Sequence, residues 1–244
     1  MDNNAALVLF SGGQDSTVCL FGALKRFSRV ETVCFSYGQR NNSEIQAAQK
    51  IALTAGVPFR IIDVSFIAGL STNSLTDPSV NMDLELKNNA PPNTFVPGRN
   101  LFFISIAAVV AREHNIANLI TGVSQADNSG YPDCRENFIH SLNTTLNLAM
   151  DENFVIHTPL MQSDKAAVWK MAADLEILDL VKTQTVTCYN GIPGNGCNEC
   201  PSCKLRNNGL KQFEYRECLN KYPTIFDLFD LHQNIKKKFG GLRP

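Results

Sequence analysis

Short runs of apolar and β-branched residues alternate along the chain with longer segments whose apolar positions recur every three to four residues. This is the pattern of a parallel sheet wrapped by helices on both faces. The short runs predict strands at Ala6–Phe10, Val30–Ser36, Phe59–Val64, Asn118–Thr121 and Phe154–His157. The periodic segments predict helices near Asp15–Phe27, Asn42–Ala55, Arg99–His114 and Asp133–Met150. Ser163 is expected to cap one more helix, running through Asp174, because Asp164 and Lys165 lead into another apolar-periodic run. The fold class expected is α/β, a doubly wound five-stranded parallel sheet.

The pattern breaks twice. From Ile67 to Pro97 periodicity fails, and Ser, Asn, Asp and Pro crowd together in STNSLTDPSVN and NNAPPNT. A loop this long is often a lid or a dimer contact, and equally often a plain surface insertion. Beyond Lys182 the chain turns to TQTVTCYNGIPGNGCNECPSCKLRNNGLKQF, rich in Gly, Asn and Cys. The expected division is therefore an α/β domain over 1–182, a cysteine module over 183–218, and a C-terminal helix and tail over 219–244. There is no internal repeat.

A chain of 244 residues is long enough for one domain with an appendage. Its 22 basic and 23 acidic residues give a formal charge of −1, which argues against binding nucleic acid through bulk charge. The basic cluster Lys236, Lys237, Lys238 and Arg243 reads as a solvated tail. The longest apolar run, Leu101–Ala111, is short of the roughly 20 residues that span a bilayer, so no membrane partner is expected. The opening MDNNAALVLF has an acidic start and leads into a glycine turn, unlike a secretory leader, and a cytoplasmic location follows. There, eight cysteines do not form a disulfide framework.

The first predicted strand feeds into Ser11-Gly-Gly-Gln-Asp-Ser16. Glycines let backbone amides approach an anion, and the helix behind them adds unpaired N–H groups and the positive end of its dipole. A plain tight turn capped by Asp15 or Ser16 is the competing reading. The loop lacks the lysine of a Walker motif and is not GxGxxG. SGGQDS resembles the pyrophosphate loop of the ATP pyrophosphatase superfamily. That resemblance implies an adenine nucleotide alpha hydrolase-like fold, ATP as co-substrate with Mg2+, and attack of a substrate oxygen on the α-phosphorus.

Cys188 stands nine positions before Cys197, and Cys197, Cys200 and Cys203 form Cys-x2-Cys-x2-Cys. Four thiolates suit a closed, structural tetrahedral zinc site. An iron–sulfur cluster is the rival, weakened because the fourth cysteine lies upstream. Cys19, Cys34, Cys134 and Cys218 are scattered and read as small core or surface residues. The histidines at 114, 140, 157 and 232 read as structural.

Further polar strings fall where predicted strands end, the ligand-binding edge of open α/β sheets: YGQR at 37–40, FVPGRN at 95–100, SGYPDCREN at 129–137 and TPLMQSDK at 158–165. Singly each is weak. In order, together with SGGQDS and TCYNG before the cysteines, they resemble the 7-cyano-7-deazaguanine synthase family of queuosine biosynthesis. The likeness runs from about Leu7 to Phe213, departing at Asn41, commonly histidine there, and at Gln162, commonly a bulkier aromatic.

The resemblance implies conversion of 7-carboxy-7-deazaguanine, ammonia and ATP to the nitrile by two successive adenylations through an amide. It places ATP against Phe10, Ser11, Gly12, Gly13, Gln14, Asp15, Ser16, Thr17, Val18, Cys19 and Leu20. Lys165 and Arg99 become stabilisers of departing pyrophosphate, and Asp133 and Arg135 join them in the catalytic set. Tyr37, Gln39, Arg40, Tyr131, Asp133 and Arg135 become substrate contacts, the tyrosines by stacking, Asp133 at the guanine-like edge, and Arg135 or Arg40 on the carboxylate. One zinc ion is expected on the four cysteines. A homodimer is implied, and no direct nucleic-acid partner. A tRNA thiolase or lysidine-type ligase shares the loop but calls for a basic face, and a non-enzymatic zinc-stabilised nucleotide sensor is separated from an enzyme by turnover.

Overall fold

A computed structural model describes residues 1–40, 42–77, 79–80, 92–125 and 131–221. Asn41, much of the expected loop, the start of SGYPDCREN, and the C-terminal tail with its basic cluster lie outside these residues. Five strands, β1 (Asp2–Leu9), β2 (Arg29–Ser36), β3 (Phe59–Asp63), β4 (Ile116–Ile120) and β5 (Val155–His157), pair in parallel in the order β3-β2-β1-β4-β5. The chain winds outward from β1 to β3 and then returns to place β4 on the other side of β1. The β1/β4 junction is therefore the point where winding reverses, and its carboxyl edge is the crevice such sheets offer to ligands.

Strand alternation divides the core. Ala5, Leu7, Val33 and Phe35 join one apolar cluster with Ile104, Ala107, Ala108 and Ala111 of α3 (Arg99–Glu113) and Ile139, Leu142 and Leu146 of α4 (Glu136–Met150). Ala6 and Val8 join the other. Their companions are Val18 and Leu20 of α1 (Gln14–Arg26), Ala48, Ile51 and Ala52 of α2 (Ser43–Ala55), and Val168 and Trp169 of α5 (Lys165–Asp174). Helices thus cover both faces. The predicted elements are all present, with ends moved by a few residues. Two differences have physical causes. Asp164, not Ser163, caps α5, because its carboxylate accepts the Ala167 N–H at 2.7 Å. The start of the helix expected at Asp133 is a 3-10 turn, Pro132–Cys134, and α4 proper begins at Glu136.

Two further helices follow, α6 (Leu178–Gln184) and α7 (Pro201–Lys221), and the expected division points at 182 and 218 fall inside them. The helix α7 begins within the cysteine segment and lies against α5. A side chain at Gly209 would place its Cβ 2.3 Å from that of Lys165, so only glycine allows this approach. Arg206, 1 % exposed, is the anchor. Its guanidinium donates to Thr185 Oγ1 at 2.7 Å, Thr187 Oγ1 at 3.0 Å and the Val181 carbonyl at 2.7 Å. It also lies 5.1 Å from the centre of the Trp169 ring, and the indole N–H donates to the Arg206 carbonyl at 3.1 Å.

Replacing Arg206 by Met strands these buried acceptors, so Arg206→Met is expected to destabilise the fold by roughly 2–4 kcal/mol. A urea unfolding midpoint unchanged from the parent chain refutes this role.

Candidate active site

The first strand ends at Leu9 and is followed by Phe10, a core residue whose N–H donates to the Val33 carbonyl at 2.8 Å. The chain then turns through Gly12, at φ +78°, where a Cβ would come within 2.6 Å of the Ala48 nitrogen and the Glu44 carbonyl oxygen. The first turns of α2 thus press on the loop, and neither the backbone angle nor the space admits a side chain. Gly13 is the N-cap of α1, and no side chain caps it. Its carbonyl accepts from the Thr17 amide at 3.1 Å, Thr17 Oγ1 at 2.8 Å and Ser16 Oγ at 3.2 Å, and Ser16 Oγ accepts from the Ser11 N–H at 3.2 Å. The serines and the threonine close the loop on itself, while Val18, Cys19 and Leu20 point into the core.

From α1, Asp15 Oδ2 meets Lys165 Nζ at 2.6 Å. A lysine only 8 % exposed is thus paired with a carboxylate and not left as an isolated buried cation. The other carboxylate oxygen, Oδ1, and both polar atoms of the Gln14 side chain are buried without a hydrogen-bond partner among the described residues. Orphaned polar atoms are costly unless water or a ligand meets them, and three at one helix start suit an anionic ligand with its cation. A neighbouring strap ties the loop to the cysteine segment. The Val186 N–H donates to the Gly12 carbonyl at 3.1 Å, and the Gln14 N–H to Thr187 Oγ1 at 3.4 Å, the hydroxyl that Arg206 also holds.

Beyond β2 the Arg99 guanidinium lies between two rings, 5.8 Å from the centre of Tyr37 and 5.7 Å from that of Tyr131. Tyr131 stacks on Phe95 and shares a 2.7 Å hydrogen bond with Thr94. Burial, with Glu44 nearby, raises the Tyr37 phenol to about 12 against the pull of Arg99. These tyrosines hold the arginine.

Other expected contacts have internal tasks. Asp133 Oδ2 accepts the Asn100 N–H at 2.9 Å and so caps the start of α3. It also lines an open cavity of about 410 Å³ with Phe95, Gly98, Asn137, Phe138 and Ser141. The Arg40 guanidinium donates to the carbonyls of Asp77 and Val80, tying down part of the long loop. Gln39 Oε1 accepts the Tyr37 N–H at 2.8 Å. Arg135 is exposed at the N-cap of α4. The structure thus brings the phosphate loop, Asp15 and Lys165 together, sets Arg99 with Tyr37 and Tyr131, and leaves Arg40 and Arg135 apart as exposed cations.

Sequence reading passed over Glu44, in the first turn of α2 beside Gly12. Its carboxyl is half-buried, and burial raises it to about 7 although Arg99 pulls the other way. Its place four residues after Arg40 in a ligand-edge string was the available signal.

The four cysteine sulfurs all lie within 4.8 Å of one another, and Cys188, Cys200 and Cys203 are buried. Cys197 and Cys203 are 3.9 Å apart, close to the ~3.8 Å that tetrahedral bonds of about 2.3 Å require. Burial would raise the Cys197 thiol, but the N–H groups of Cys200 and Glu199 point at its sulfur and bring it down to about 6. Thiolate character is what a metal needs. Burial raises the Cys200 and Cys203 thiols, as it does those of the scattered Cys19 and Cys34, pushing Cys34 to about 12 and Cys19 higher still.

Among the described residues no helix is long and apolar enough to cross a membrane. The sequence matches the family described as queuosine biosynthesis protein QueC over residues 5–214. It is 59 % identical over 215 residues to a 7-cyano-7-deazaguanine synthase of Parabacteroides distasonis, covering 88 % of this chain and 96 % of that one. To the protein of that name in Bacteroides fragilis it is 60 % identical over 213 residues, 87 % and 97 % of the two chains. To that of Clostridium acetobutylicum it is 55 % identical over 214 residues, 88 % and 96 %. With the match spanning the phosphate loop and all four clustered cysteines, the chain belongs to the QueC family of queuosine biosynthesis proteins.

Proposed function

We propose that the enzyme converts 7-carboxy-7-deazaguanine, ammonia and ATP to 7-cyano-7-deazaguanine by two adenylations through an amide, in the cytoplasm, without binding nucleic acid directly. The observation that carries this is the Asp15–Lys165 pair at the uncapped start of α1, in the crevice where sheet winding reverses. A carboxylate is a poor electrophile because oxide is a poor leaving group. Attack of its oxygen on the α-phosphorus releases pyrophosphate and makes AMP the leaving group. Ammonia displaces AMP to give the amide, whose oxygen is adenylated in turn, and loss of the second AMP gives the nitrile. Lys165 and the loop amides offset charge on the departing pyrophosphate. Magnesium bound with the triphosphate lowers its charge further. Arg99, held by its tyrosines, is read as the second stabiliser of departing pyrophosphate, and the cavity beside Asp133 as the place of the deazaguanine ring.

The cysteine cluster is read as one structural zinc site. A four-iron cluster interposes several atoms between its thiolates and needs a wider cage than sulfurs within 4.8 Å allow. The protein is read as a homodimer that covers exposed apolar residues such as Phe66, whose ring meets Phe102 of α3 edge-on.

Mass spectrometry of the enzyme with all three substrates and magnesium is expected to show nitrile and AMP, and unchanged acid with folded protein refutes the reading. Lys165→Met is expected to lower kcat by about 10²–10³-fold, and a rate near that of the parent removes Lys165 from the chemistry. Elemental analysis is expected to find zinc in the parent chain and its loss, with a lowered unfolding midpoint, in Cys200→Ser. Iron in place of zinc overturns the metal assignment.

A further inference from the structure

Two threonine hydroxyls share one nitrogen of the buried Arg206 guanidinium, and the fold uses them differently. Nη1 lies 2.7 Å from Thr185 Oγ1 and 3.0 Å from Thr187 Oγ1. A guanidinium nitrogen only donates, so each hydroxyl oxygen accepts from it and keeps its own hydrogen to give elsewhere. Thr185 gives that hydrogen to the Val181 carbonyl at 2.7 Å, one helical turn back, and is satisfied within the fold. Thr187 has no such outlet. Its oxygen accepts a second time, from the Gln14 N–H at 3.4 Å, which occupies both lone pairs. Among the described residues its O–H meets no acceptor.

The hydrogen is left over at the start of α1. Gln14 is the first residue of that helix, so the oxygen that takes its N–H stands beside the remaining N–H groups of the first turn, which have no acceptor inside the helix. The acceptors present at this helix start are Gln14 Oε1, on a residue 1 % exposed, and Asp15 Oδ1. Both are buried without a donor, so the Thr187 hydrogen goes to neither. Donors without acceptors at a helix start are what an anionic oxygen satisfies. Thr187 adds something the loop amides lack. A cation donating to a hydroxyl oxygen polarises the O–H and makes it a stronger donor to negative charge. The charge of Arg206 thus reaches the helix start through Thr187 while the guanidinium stays in the core.

Resting on the use of ATP proposed above, we propose that the Thr187 hydroxyl binds the nucleotide directly, donating a hydrogen bond to a phosphate oxygen. This contact comes from outside the phosphate loop, on the residue immediately before Cys188, and joins the cysteine segment to ligand binding.

A crystal structure of the parent chain with magnesium and a non-hydrolysable ATP analogue is expected to place Thr187 Oγ1 about 3 Å from a phosphate oxygen. Phosphates bound out of reach of that hydroxyl overturn the proposal. Calorimetric titration with magnesium ATP is expected to show affinity weakened about 10–100-fold in Thr187→Val, and within a few-fold of the parent in Thr187→Ser, which keeps the hydroxyl. Adenosine, which carries no phosphate, is expected to bind the parent and Thr187→Val alike. Parent-like ATP affinity in Thr187→Val, an equal loss in Thr187→Ser, or equal weakening of ATP and adenosine overturns the proposal, the last by assigning Thr187 to the shape of the loop. Where Thr187→Val does not fold, the parent structure alone decides. ATP binding by the parent without acid-dependent exchange of labelled pyrophosphate into ATP overturns the adenylating function and not this contact, so the two failures are distinct.

Discussion

A buried guanidinium has to be surrounded by acceptors, and in this protein that requirement shapes the wall of the active site. Arg206 loses nearly all its water, and burial lowers it to about 10, partly opposed by Asp15 and Cys203, so it is charged at neutral pH. Its hydrogen bonds go to the segment 181–187, curling that segment around the cation. The same segment supplies the Val186 N–H and the Thr187 hydroxyl that meet Gly12 and Gln14. Arg206 lies one helical turn beyond Cys203, so the cysteine cluster sets the register of the arginine and the arginine sets the strap on the phosphate loop. The four clustered cysteines, a group that could hold a metal, are thus linked to the loop at the start of α1 through packing.

Most of the sheet was legible because β1, β2 and β4 carry near-continuous apolar runs and α1, α2 and α4 keep a one-sided apolar face. The helix α7 was not read in full. Its buried positions, Cys203, Arg206, Gly209 and Phe213, have helical spacing. Three of these residue types do not register as apolar: a clustered cysteine, a buried cation and a glycine chosen for its missing side chain. The docking of α7 on α5 depends on Arg206 and Gly209, and a hydrophobic pattern carries no record of either. The cap of α5 was displaced by one residue for a related reason, since Ser163 and Asp164 are both good caps and only the geometry selects the carboxylate.

The site divides in the same way. SGGQDS and the cysteine spacing were readable because each is a short local arrangement whose chemistry follows from the backbone it makes. The polar strings were readable as ligand-edge segments but not in their individual roles. Asp133 caps a helix, Arg40 ties down a loop, and the faces of Tyr37 and Tyr131 are directed at Arg99. These choices depend on which of several possible partners lies nearest in three dimensions. Glu44 escaped notice because a glutamate in the first turn of a helix is ordinary in sequence. Its distinction is burial, contributed by residues on β2 and α3 far from it along the chain.

The charge arrangement explains how a chain of net charge −1 can serve a polyanionic nucleotide. Two unit charges 4 Å apart interact by about 4 kcal/mol at an effective dielectric constant near 20, so a cluster of unpaired buried cations would strongly oppose folding. The positive groups are instead kept in company: Lys165 with Asp15, Arg99 between two rings, Arg206 among neutral oxygens. In the proposed function, attraction for phosphate is left to the helix start and the loop amides, which carry partial charge but no net charge, and the paired cations tune it.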